Sequence, residues 1–327
     1  MANTPLVAIT RPIPDAGPAL LRDAFEIRQW EDELPPSPQE LNTLLEDVDG
    51  AITLVNDTID AELLDRRPSL KVISNFAVGY DNIDVDAATE RGIAVCNTPG
   101  VLTDATAELA FALMIATARR IPEGVDHVRD GKWKTWGPLL LLGPNLTNAT
   151  VGIIGFGRIG QAFARMTTGF GMKILAYDRT PETKDTTGLD VTFVDLDQLL
   201  RESDFVSLHV AYTPETHHLI GTRELKAMKE TAILVNAARG PVVDTDALTE
   251  ALRNGDILGA GLDVTDPEPL PADHPLVSLP NCTVVPHIGS ATTESRTAMA
   301  TLAAKNLRAV LTGERPEHIV NPEVLTR

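Results

Sequence analysis

The chain has 327 residues, 43% of them hydrophobic and 23% charged, an ordinary composition for a globular protein whose length suits two domains better than one core. Its formal net charge of −18 argues against nucleic acid and anionic membrane surfaces as main partners, because their phosphates would be repelled. An anionic substrate must therefore be held by local positive groups, although adaptation to salt also explains such acidity.

The first third of the chain alternates short apolar runs with helical stretches, which predicts a parallel sheet. The predicted strands span residues 6–10, 51–55, 71–74 and 93–96, and one predicted helix spans 39–45. Residues 75–82 follow a predicted strand directly, so they form a loop at the carboxyl edge of the sheet, where ligands often bind. A plain turn explains this local pattern equally well.

The chain is predicted to enter a second domain after residue 100. Residues 103–108 open a long apolar helix, and a polar helix follows it. Residues 121–143 then include Trp133, Trp136 and a run of leucines. Tryptophans in an apolar patch outside regular structure usually mark an interface. Packing of this loop on its own domain is the alternative, and the pattern favours neither.

Residues 151–154 form an apolar run that predicts a buried parallel strand, followed by Gly-Phe-Gly-Arg-Ile-Gly. Gly155 permits a tight turn, Gly157 lets the backbone approach a pyrophosphate, and Gly160 lets the next helix pack close to the strand. A chance glycine-rich turn is a fair rival to this pattern alone. However, a second apolar run ends in Asp178 about twenty residues later, where an acid can hydrogen-bond a ribose hydroxyl. The combination predicts dinucleotide binding.

The alternation resumes after the glycine loop and completes a second sheet. Its predicted strands span residues 151–154, 173–177, 205–210, 232–236, 258–263 and 282–285, with helices over 195–201, 222–229 and 244–254. Six strands are the number of a complete dinucleotide-binding sheet. Ser290 then matches the cap of a long helix over residues 291–311, which we expect to cross back to the first domain.

Three side chains capable of chemistry follow strands of this second sheet, at the edge where open parallel sheets bind ligands. Arg239 can hold a carboxylate or carbonyl through its planar fork. His287 can protonate a forming alkoxide, and Glu268 can orient the ring and favour its charged form. Each also has an ordinary explanation as a surface or satisfied side chain, but the trio suits hydride transfer to a keto acid. His217 and His218 lie in a polar loop and are predicted to be merely exposed.

Motifs around these residues resemble those of a known family. Residues 236–240 (Asn-Ala-Ala-Arg-Gly), 261–264 (Gly-Leu-Asp-Val), 266–269 (Asp-Pro-Glu-Pro) and 286–292 (Pro-His-Ile-Gly-Ser-Ala-Thr) resemble the signatures of the D-isomer-specific 2-hydroxyacid dehydrogenases. The motifs fall in the family's order, and the resemblance covers essentially the whole chain. Residues 77–79, 133–136 and 286–292 are most similar to the glyoxylate/hydroxypyruvate reductases. The resemblance implies NAD(P)H-dependent reduction of glyoxylate or hydroxypyruvate to glycolate or D-glycerate.

The resemblance also implies an α/β fold with two Rossmann-like domains in a homodimer. A doubly wound parallel sheet over residues 101–289 would bind NAD(P), with a dimerisation loop over 121–143. A smaller flavodoxin-like domain, split between residues 1–100 and 290–327, would bind the substrate.

Site residues follow from the same resemblance. Arg239, Glu268 and His287 would be catalytic. The substrate would be held by Val78, Gly79, Arg239 and Ser290, with Trp136 reaching in from the neighbouring subunit. The nucleotide contacts would be Thr106, Gly155, Gly157, Arg158, Ile159, Gly160, Asp178, Arg179, Thr180, Thr213, Ala237, Ala238, Asp263, His287 and Gly289.

Other proteins of similar plan agree less well with the sequence. Phosphite dehydrogenase needs a lysine where this chain has Val78, and formate dehydrogenase lacks a Glu–His pair of this type. Phosphoglycerate dehydrogenases often carry a regulatory extension that we do not expect here. From a different class, the C-terminal-binding corepressors use this fold as a nucleotide-sensing module and generally carry flexible tails. A turnover assay with glyoxylate and hydroxypyruvate separates an enzyme from such a sensor.

The cofactor is predicted to be NAD, because the charge of Asp178 would repel a 2′-phosphate. NADP stays possible, since Arg179 and Thr180 follow directly and can hold that phosphate if Asp178 turns away. No metal site is predicted, and Cys96 and Cys282 are interpreted as buried reduced thiols. Without a signal peptide or an apolar run long enough for a bilayer, the chain is expected in the cytoplasm.

Overall fold

The computed structural model describes residues 4–326. The chain divides into two compact units: the first comprises the chain up to Leu102 and from Ser290 onward, and the second comprises Thr103–Gly289. The assignment of substrate binding to the first unit and of nucleotide binding to the second stays a prediction.

Short strands alternate with helices along the described part of the chain. The strands are Leu6–Ile9 (β1), Glu26–Gln29 (β2), Gly50–Thr53 (β3), Val72–Asn75 (β4), Ala94–Cys96 (β5), Thr150–Ile154 (β6), Lys173–Tyr177 (β7), Val191–Phe193 (β8), Phe205–Leu208 (β9), Ile233–Asn236 (β10), Gly259–Leu262 (β11) and Cys282–Val284 (β12). The α-helices are Pro38–Leu44 (α1), Ala61–Asp65 (α2), Val85–Glu90 (α3), Thr103–Ala118 (α4), Ile121–Arg129 (α5), Arg158–Thr167 (α6), Leu196–Glu202 (α7), Thr222–Ala227 (α8), Thr245–Asn254 (α9), Pro275–Ser278 (α10) and Thr293–Leu311 (α11).

The first unit is built on a parallel five-stranded sheet in the order β2-β1-β3-β4-β5, which is the order of flavodoxin-like folds. Its central strands are fully buried, as the apolar runs predicted. The apolar runs predict four of these strands but not β2. The residues of β2, Glu-Ile-Arg-Gln, are polar and partly exposed at the edge of the sheet, so no apolar run marks them.

The second unit contains a parallel seven-stranded sheet in the order β12-β11-β10-β9-β6-β7-β8. Counted from β6, this is the 3-2-1-4-5-6 order of dinucleotide-binding sheets with one further strand. The prediction of six strands was wrong by one, because β8 is a three-residue edge strand that is too short for a recognisable pattern. The strand order reverses beside β6, which places the ligand crevice where the glycine loop leaves this strand.

The last helix, α11, begins two residues later than predicted. Its N-cap is Thr292, whose hydroxyl accepts a hydrogen bond from the Ser295 amide at 3.1 Å. The assignment of Ser290 as the cap was therefore wrong, because this residue lies in the preceding turn. The helix packs on the sheet of the first unit, as expected, and Ser74 Oγ donates to the Ala303 carbonyl at 2.8 Å.

Both cysteines are free thiols, and burial raises the pKa of Cys96 and of Cys282 to about 12. Within residues 4–326, no helix combines the length and apolar character needed to cross a membrane. The same part of the chain holds no group of three or more His, Cys, Asp or Glu side chains placed for a metal ion.

Candidate active site

The glycine loop joins β6 to α6, and backbone contacts there exclude side chains. Gly155 has a φ of +94°, a left-handed conformation that favours glycine, and a Cβ on it would lie 2.7 Å from the carbonyl carbon of His209. A Cβ on Gly160 would lie 2.2 Å from the carbonyl oxygen of Gly155. The tight turn and the close helix approach thus both depend on glycine.

The beginning of α6 is open to an anionic ligand. A Cβ on Gly157 would meet no protein atom within 4 Å, so a ligand can approach the backbone there. Within residues 4–326, no hydrogen bond uses the amide N–H groups of Arg158 or Ile159. The helix dipole adds positive potential at this end. The loop therefore fits a pyrophosphate.

Asp178 follows β7 and is held from several directions. Its Oδ2 accepts a hydrogen bond from the Phe156 amide at 2.9 Å, and its Oδ1 accepts one from the Thr180 amide at 3.0 Å. Lys184 Nζ lies 3.0 Å from the same Oδ1. Burial raises the pKa of Asp178, but the Thr180 and Phe156 amides and the Lys184 ammonium outweigh it, so the net shift is downward. Asp178 is an ionised acceptor beside the glycine loop.

The remaining predicted nucleotide contacts of the second unit lie at its strand ends and in the first turn of α4. Thr213 lies in the loop after β9, and Ala237 follows β10 directly. Thr106 lies in α4, and a Cβ on Gly289 would lie 3.4 Å from its Cγ2. Arg179 is exposed in the turn after β7. Their contacts with a nucleotide stay predictions.

His287 and Glu268 lie in direct contact, while their predicted catalytic roles stay predictions. His287 Nδ1 lies 2.5 Å from Glu268 Oε1, and about a third of each side chain is exposed. Burial raises the pKa of Glu268, but the hydrogen bond and charge of His287, the Thr265 amide and the charge of Arg239 together lower it below its usual range. An ionised Glu268 accepts a hydrogen bond from a proton on Nδ1 of His287 and leaves Nε2 for another partner.

Asp263 fastens the loop that carries His287. One carboxylate oxygen of Asp263 accepts the Ile288 amide at 2.6 Å, and the other accepts the Gly289 amide at 2.9 Å. The Asp263 carbonyl accepts the His287 amide at 2.9 Å. Asp263 is 2% exposed, and this burial raises its pKa. Asp263 therefore positions His287, and its predicted contact with the nucleotide stays a prediction.

Arg239 lies on a loop that adjoins the one carrying Glu268. Asn236, at the end of β10, donates from Nδ2 to the Arg239 carbonyl at 2.8 Å. The next residue, Gly240, approaches the neighbouring loop so closely that a Cβ would lie 1.9 Å from the Thr265 carbonyl oxygen. The three predicted catalytic residues therefore lie on neighbouring loops at the carboxyl edge of one sheet.

In the first unit, the predicted substrate loop after β4 has its carbonyl groups occupied. Asn97 Nδ2 donates to the Val78 carbonyl at 2.8 Å, and Asn75 Nδ2 donates to the Gly79 carbonyl at 2.9 Å. Among the described residues, no hydrogen bond uses the amide N–H of Val78 or of Gly79. The loop offers donors and few free acceptors, which suits a carboxylate.

Two predicted substrate residues lie in less informative surroundings. Trp136 is 79% exposed in a segment without regular secondary structure, and Ser290 lies in the turn before α11. Their roles in a substrate pocket stay predictions. His217 and His218 are exposed, as predicted, and their rings stack with centroids 3.9 Å apart.

Comparisons with known proteins agree with this geometry. Residues 111–289 match the family described as D-isomer specific 2-hydroxyacid dehydrogenase, NAD binding domain. The glyoxylate reductase of Thermococcus litoralis is 53% identical over 328 residues, which cover 98% of this chain and 98% of the relative. The glyoxylate reductase of Korarchaeum cryptofilum is 50% identical over 322 residues, which cover 98% and 97%. The chain belongs to the D-isomer specific 2-hydroxyacid dehydrogenase family.

Solved structures are similar to this dehydrogenase over nearly its whole length. A protein of Thermus thermophilus gives a TM-score of 0.91 at 50% identity, covering 96% of this chain and 99% of that one. The NADPH-dependent glyoxylate/hydroxypyruvate reductase of Sinorhizobium meliloti, solved with NADP and malonate, gives 0.85 at 34% identity and covers 97% of each chain. The predicted family and fold class are confirmed.

Several residues that contact the predicted site have no distinguishing signal in the sequence. Lys184 contacts Asp178, but nothing distinguishes it in the sequence from any lysine in a polar turn. Asn75 and Asn97 bond the carbonyls of the substrate loop, yet an asparagine after a strand is also an ordinary turn residue. Asp263 stands in the Gly-Leu-Asp-Val motif, but no pattern in the sequence predicts its hydrogen bonds to the loop that carries His287.

Proposed function

We propose that this dehydrogenase reduces glyoxylate, hydroxypyruvate or both, with NADH or NADPH as the reductant. The observation that carries the proposal is the 2.5 Å contact between His287 Nδ1 and Glu268 Oε1, on a loop that adjoins the one carrying Arg239. An oriented acid–base pair serves proton transfer, which a nucleotide sensor does not need. The glyoxylate reductases that are 50% and 53% identical support the choice of substrate.

In this proposal, the amides of Val78 and Gly79 are the donors of the first unit for the carboxylate of the keto acid, and the guanidinium of Arg239 is the donor of the second unit for its carboxylate or carbonyl. A reduced nicotinamide held at the glycine loop would supply a hydride for the carbonyl carbon. His287 donates a proton from Nε2 to the carbonyl oxygen, while Glu268 keeps its hydrogen bond to Nδ1. The product is the 2-hydroxy acid, and His287 takes up a proton from water before the next turnover.

The test is turnover with glyoxylate and hydroxypyruvate, followed through the nicotinamide absorbance, with phosphite and 3-phosphohydroxypyruvate as alternative substrates. We expect reduction of one or both of the first two at a kcat/KM well above those for the alternatives. Tight nucleotide binding without turnover would instead favour a sensor. A clear preference for phosphite or the phosphorylated acid would contradict the substrate assignment.

We also propose that two copies of the chain associate through the surface that includes residues 121–143. This segment is unusually apolar for a solvent-facing surface; its large exposed side chains are Ile121, Val125, Val128, Trp133, Trp136, Leu139, Leu140 and Leu142. A cavity of about 320 Å³ beside it is lined in part by Pro122, Leu142 and Leu258. Contiguous apolar patches of this kind are typical of interfaces, and a second copy is the partner that symmetric assembly provides.

Trp136→Ala tests the proposed reach of this loop into a neighbouring subunit's pocket. Selectivity between hydroxypyruvate and glyoxylate should change roughly 10-fold, because the two acids differ by one substituent that a pocket wall would contact. The dissociation constant of NADH should stay nearly unchanged. Trp133→Ala, in the same loop and 62% exposed, is the matched control and should leave selectivity in place.

Equal losses for both substrates in Trp136→Ala, together with a monomer in sedimentation, would contradict the dimer proposal.

We also propose that the protein is located in the cytoplasm. The free thiols of Cys96 and Cys282 suit a reducing compartment.

A further inference from the structure

The turn after β7 places an ammonium against Asp178, the carboxylate that the sequence predicts to hydrogen-bond a ribose hydroxyl of the nucleotide. Lys184 Nζ lies 3.0 Å from Asp178 Oδ1, and the two side chains are only 20% and 13% exposed. Water therefore screens this pair less than it screens a surface ion pair. An ammonium has three N–H donors, and no second acceptor for Lys184 is present within residues 4–326. Donors of Lys184 thus remain for an anionic ligand.

Arg179 adds a second positive charge to this turn. It is exposed directly after Asp178, and no hydrogen bond or ion pair of the described residues uses its guanidinium. The charge of Arg179 also acts on Glu215, in the loop after β9. The pKa of Glu215 is lowered chiefly by a hydrogen bond with the Thr213 hydroxyl, and the charge of Arg179 lowers it further by a smaller amount. Arg179 therefore lies within electrostatic reach of the loop after β9.

An acid at the end of this strand normally rejects a 2′-phosphate, because two negative charges would be forced together. Here Lys184 offsets the charge of Asp178, and Arg179 adds a positive charge next to it, in a turn that also carries Glu182 and Asp185. Asp178 also keeps acceptor capacity on Oδ2, which bonds only the Phe156 amide and can accept a ribose hydroxyl as well. The same turn offers an acceptor for a 2′-hydroxyl and donors for a 2′-phosphate.

We propose that Lys184 is a specificity-determining residue that balances Asp178 and lets this dehydrogenase bind NADPH as well as NADH. The inference rests on the proposed function, since it presumes a dinucleotide at the glycine loop. Lys184 holds Asp178 in place when the ribose carries a 2′-hydroxyl. When the ribose carries a 2′-phosphate, Lys184 shares its donors with that group, and Arg179 is the second anion partner.

Equilibrium binding without keto acid tests this role apart from turnover. NADH and NADPH are titrated by nicotinamide fluorescence, and ADP and 2′,5′-ADP, which differ by the 2′-phosphate alone, by calorimetry. In the wild type, the two reduced cofactors should have dissociation constants within about 10-fold of each other. Lys184→Gln removes the charge but keeps a hydrogen-bonding group. It should weaken NADPH and 2′,5′-ADP about 10-fold to 100-fold, the usual worth of a hydrogen bond to a charged group, and NADH and ADP less than about threefold.

Three further variants complete the test: one keeps the charge of Lys184, one is a control at another lysine, and one removes the charge of Arg179. Lys184→Arg should retain NADPH binding, because it keeps the positive charge. Lys173→Gln is the matched control, since Lys173 lies at the other end of β7 in an exposed pair with Glu202, and it should leave both constants unchanged. Arg179→Gln should weaken NADPH but not NADH, and this variant tests the charge balance even if Lys184→Gln fails to fold in a thermal unfolding control.

An unchanged ratio of the NADPH and NADH constants in Lys184→Gln would overturn the inference. So would a wild type that binds NADH and ADP but neither NADPH nor 2′,5′-ADP. The proposed function survives both of these results, because NADH still binds and can be tested for turnover. Failure of all four nucleotides to bind the wild type would overturn the proposed function itself, and the inference with it.

Discussion

Two histidines follow strands of the seven-stranded sheet, and their surroundings give them opposite chemistry. His287 follows β12, is about a third exposed, and contacts Glu268. His209 follows β9, its Nε2 lies 2.9 Å from Ser207 Oγ, and its buried Nδ1 has no partner within the described residues. Burial lowers the pKa of His209 to about 3, so this ring is neutral at physiological pH. A carboxylate partner and access, rather than the residue type, distinguish the two rings.

Two aspartates at strand ends of this sheet differ in a similar way. Asp263 uses both carboxylate oxygens to hold the backbone of the His287 loop, and its burial raises its pKa. Asp178 also bonds backbone amides, but their effect and that of Lys184 outweigh its burial, so its pKa is lowered. One carboxylate holds the backbone of the loop that carries His287, and the other stays charged beside the glycine loop.

The largest effect in this comparison should come from His287. His287→Ala should lower kcat/KM for keto-acid reduction about 10²-fold to 10⁴-fold, because the forming alkoxide loses its proton donor. NADH binding should survive, since the glycine loop is untouched. Steady-state kinetics and a fluorescence titration of NADH measure the two quantities.

His209→Asn is the matched variant. It should leave the pH dependence of kcat/KM for reduction unchanged, because this ring transfers no proton in the reaction. The loss should appear in thermal unfolding instead, since the ring packs against Phe163 with centroids 5.1 Å apart. A changed pH dependence of kcat/KM in His209→Asn, or a near-normal kcat/KM in His287→Ala, would contradict the proposed difference between the two histidines.

Glu268→Gln should have the next largest effect, roughly 10-fold on reduction at neutral pH. The substitution keeps the shape and a hydrogen bond but removes the ionised carboxylate that contacts His287 Nδ1. In the wild type, reductive kcat/KM should fall as acidification protonates Glu268, whose pKa is lowered, and the Glu268→Gln profile should lack this acid limb. The profile of the reverse oxidation should lose the same limb. Glu250→Gln, exposed on α9, should change neither profile.

The same variant has a stability signature whose sign follows from the lowered pKa of Glu268. A carboxyl with a lowered folded-state pKa stabilises the fold above its unfolded pKa, and this contribution is lost as the pH falls through the folded value. The difference in Tm between the wild type and Glu268→Gln should therefore narrow on acidification. If the pH profiles of kcat/KM were unchanged in Glu268→Gln and the Tm difference did not vary with pH, a group other than Glu268 would have to act on His287.

Much of the fold followed from the sequence because buried parallel strands carry continuous apolar runs. That signal is present in the central strands and absent from β2 and β8, which lie at sheet edges and are polar or very short. The convergence of Arg239, Glu268 and His287 followed from topology, since each comes after a strand of one parallel sheet. The contact between Asp178 and Lys184 could not be predicted, because no sequence pattern determines the path of the turn that joins them.

The smallest effect that we predict concerns the two aspartates. Asp178→Ser removes the ribose acceptor and releases Lys184, so NADH should weaken about threefold to tenfold, and NADPH should bind as well as before or better. Asp263→Asn, in contrast, replaces one acceptor oxygen with a donor that faces a backbone amide. It should slow reduction with both cofactors by the same factor, because it loosens the loop that carries His287. Measurements of kcat/KM with each cofactor decide between these outcomes. If Asp178→Ser left the ratio of the two cofactors at its wild-type value, Asp178 would not contact the ribose, and its charge would serve the turn alone.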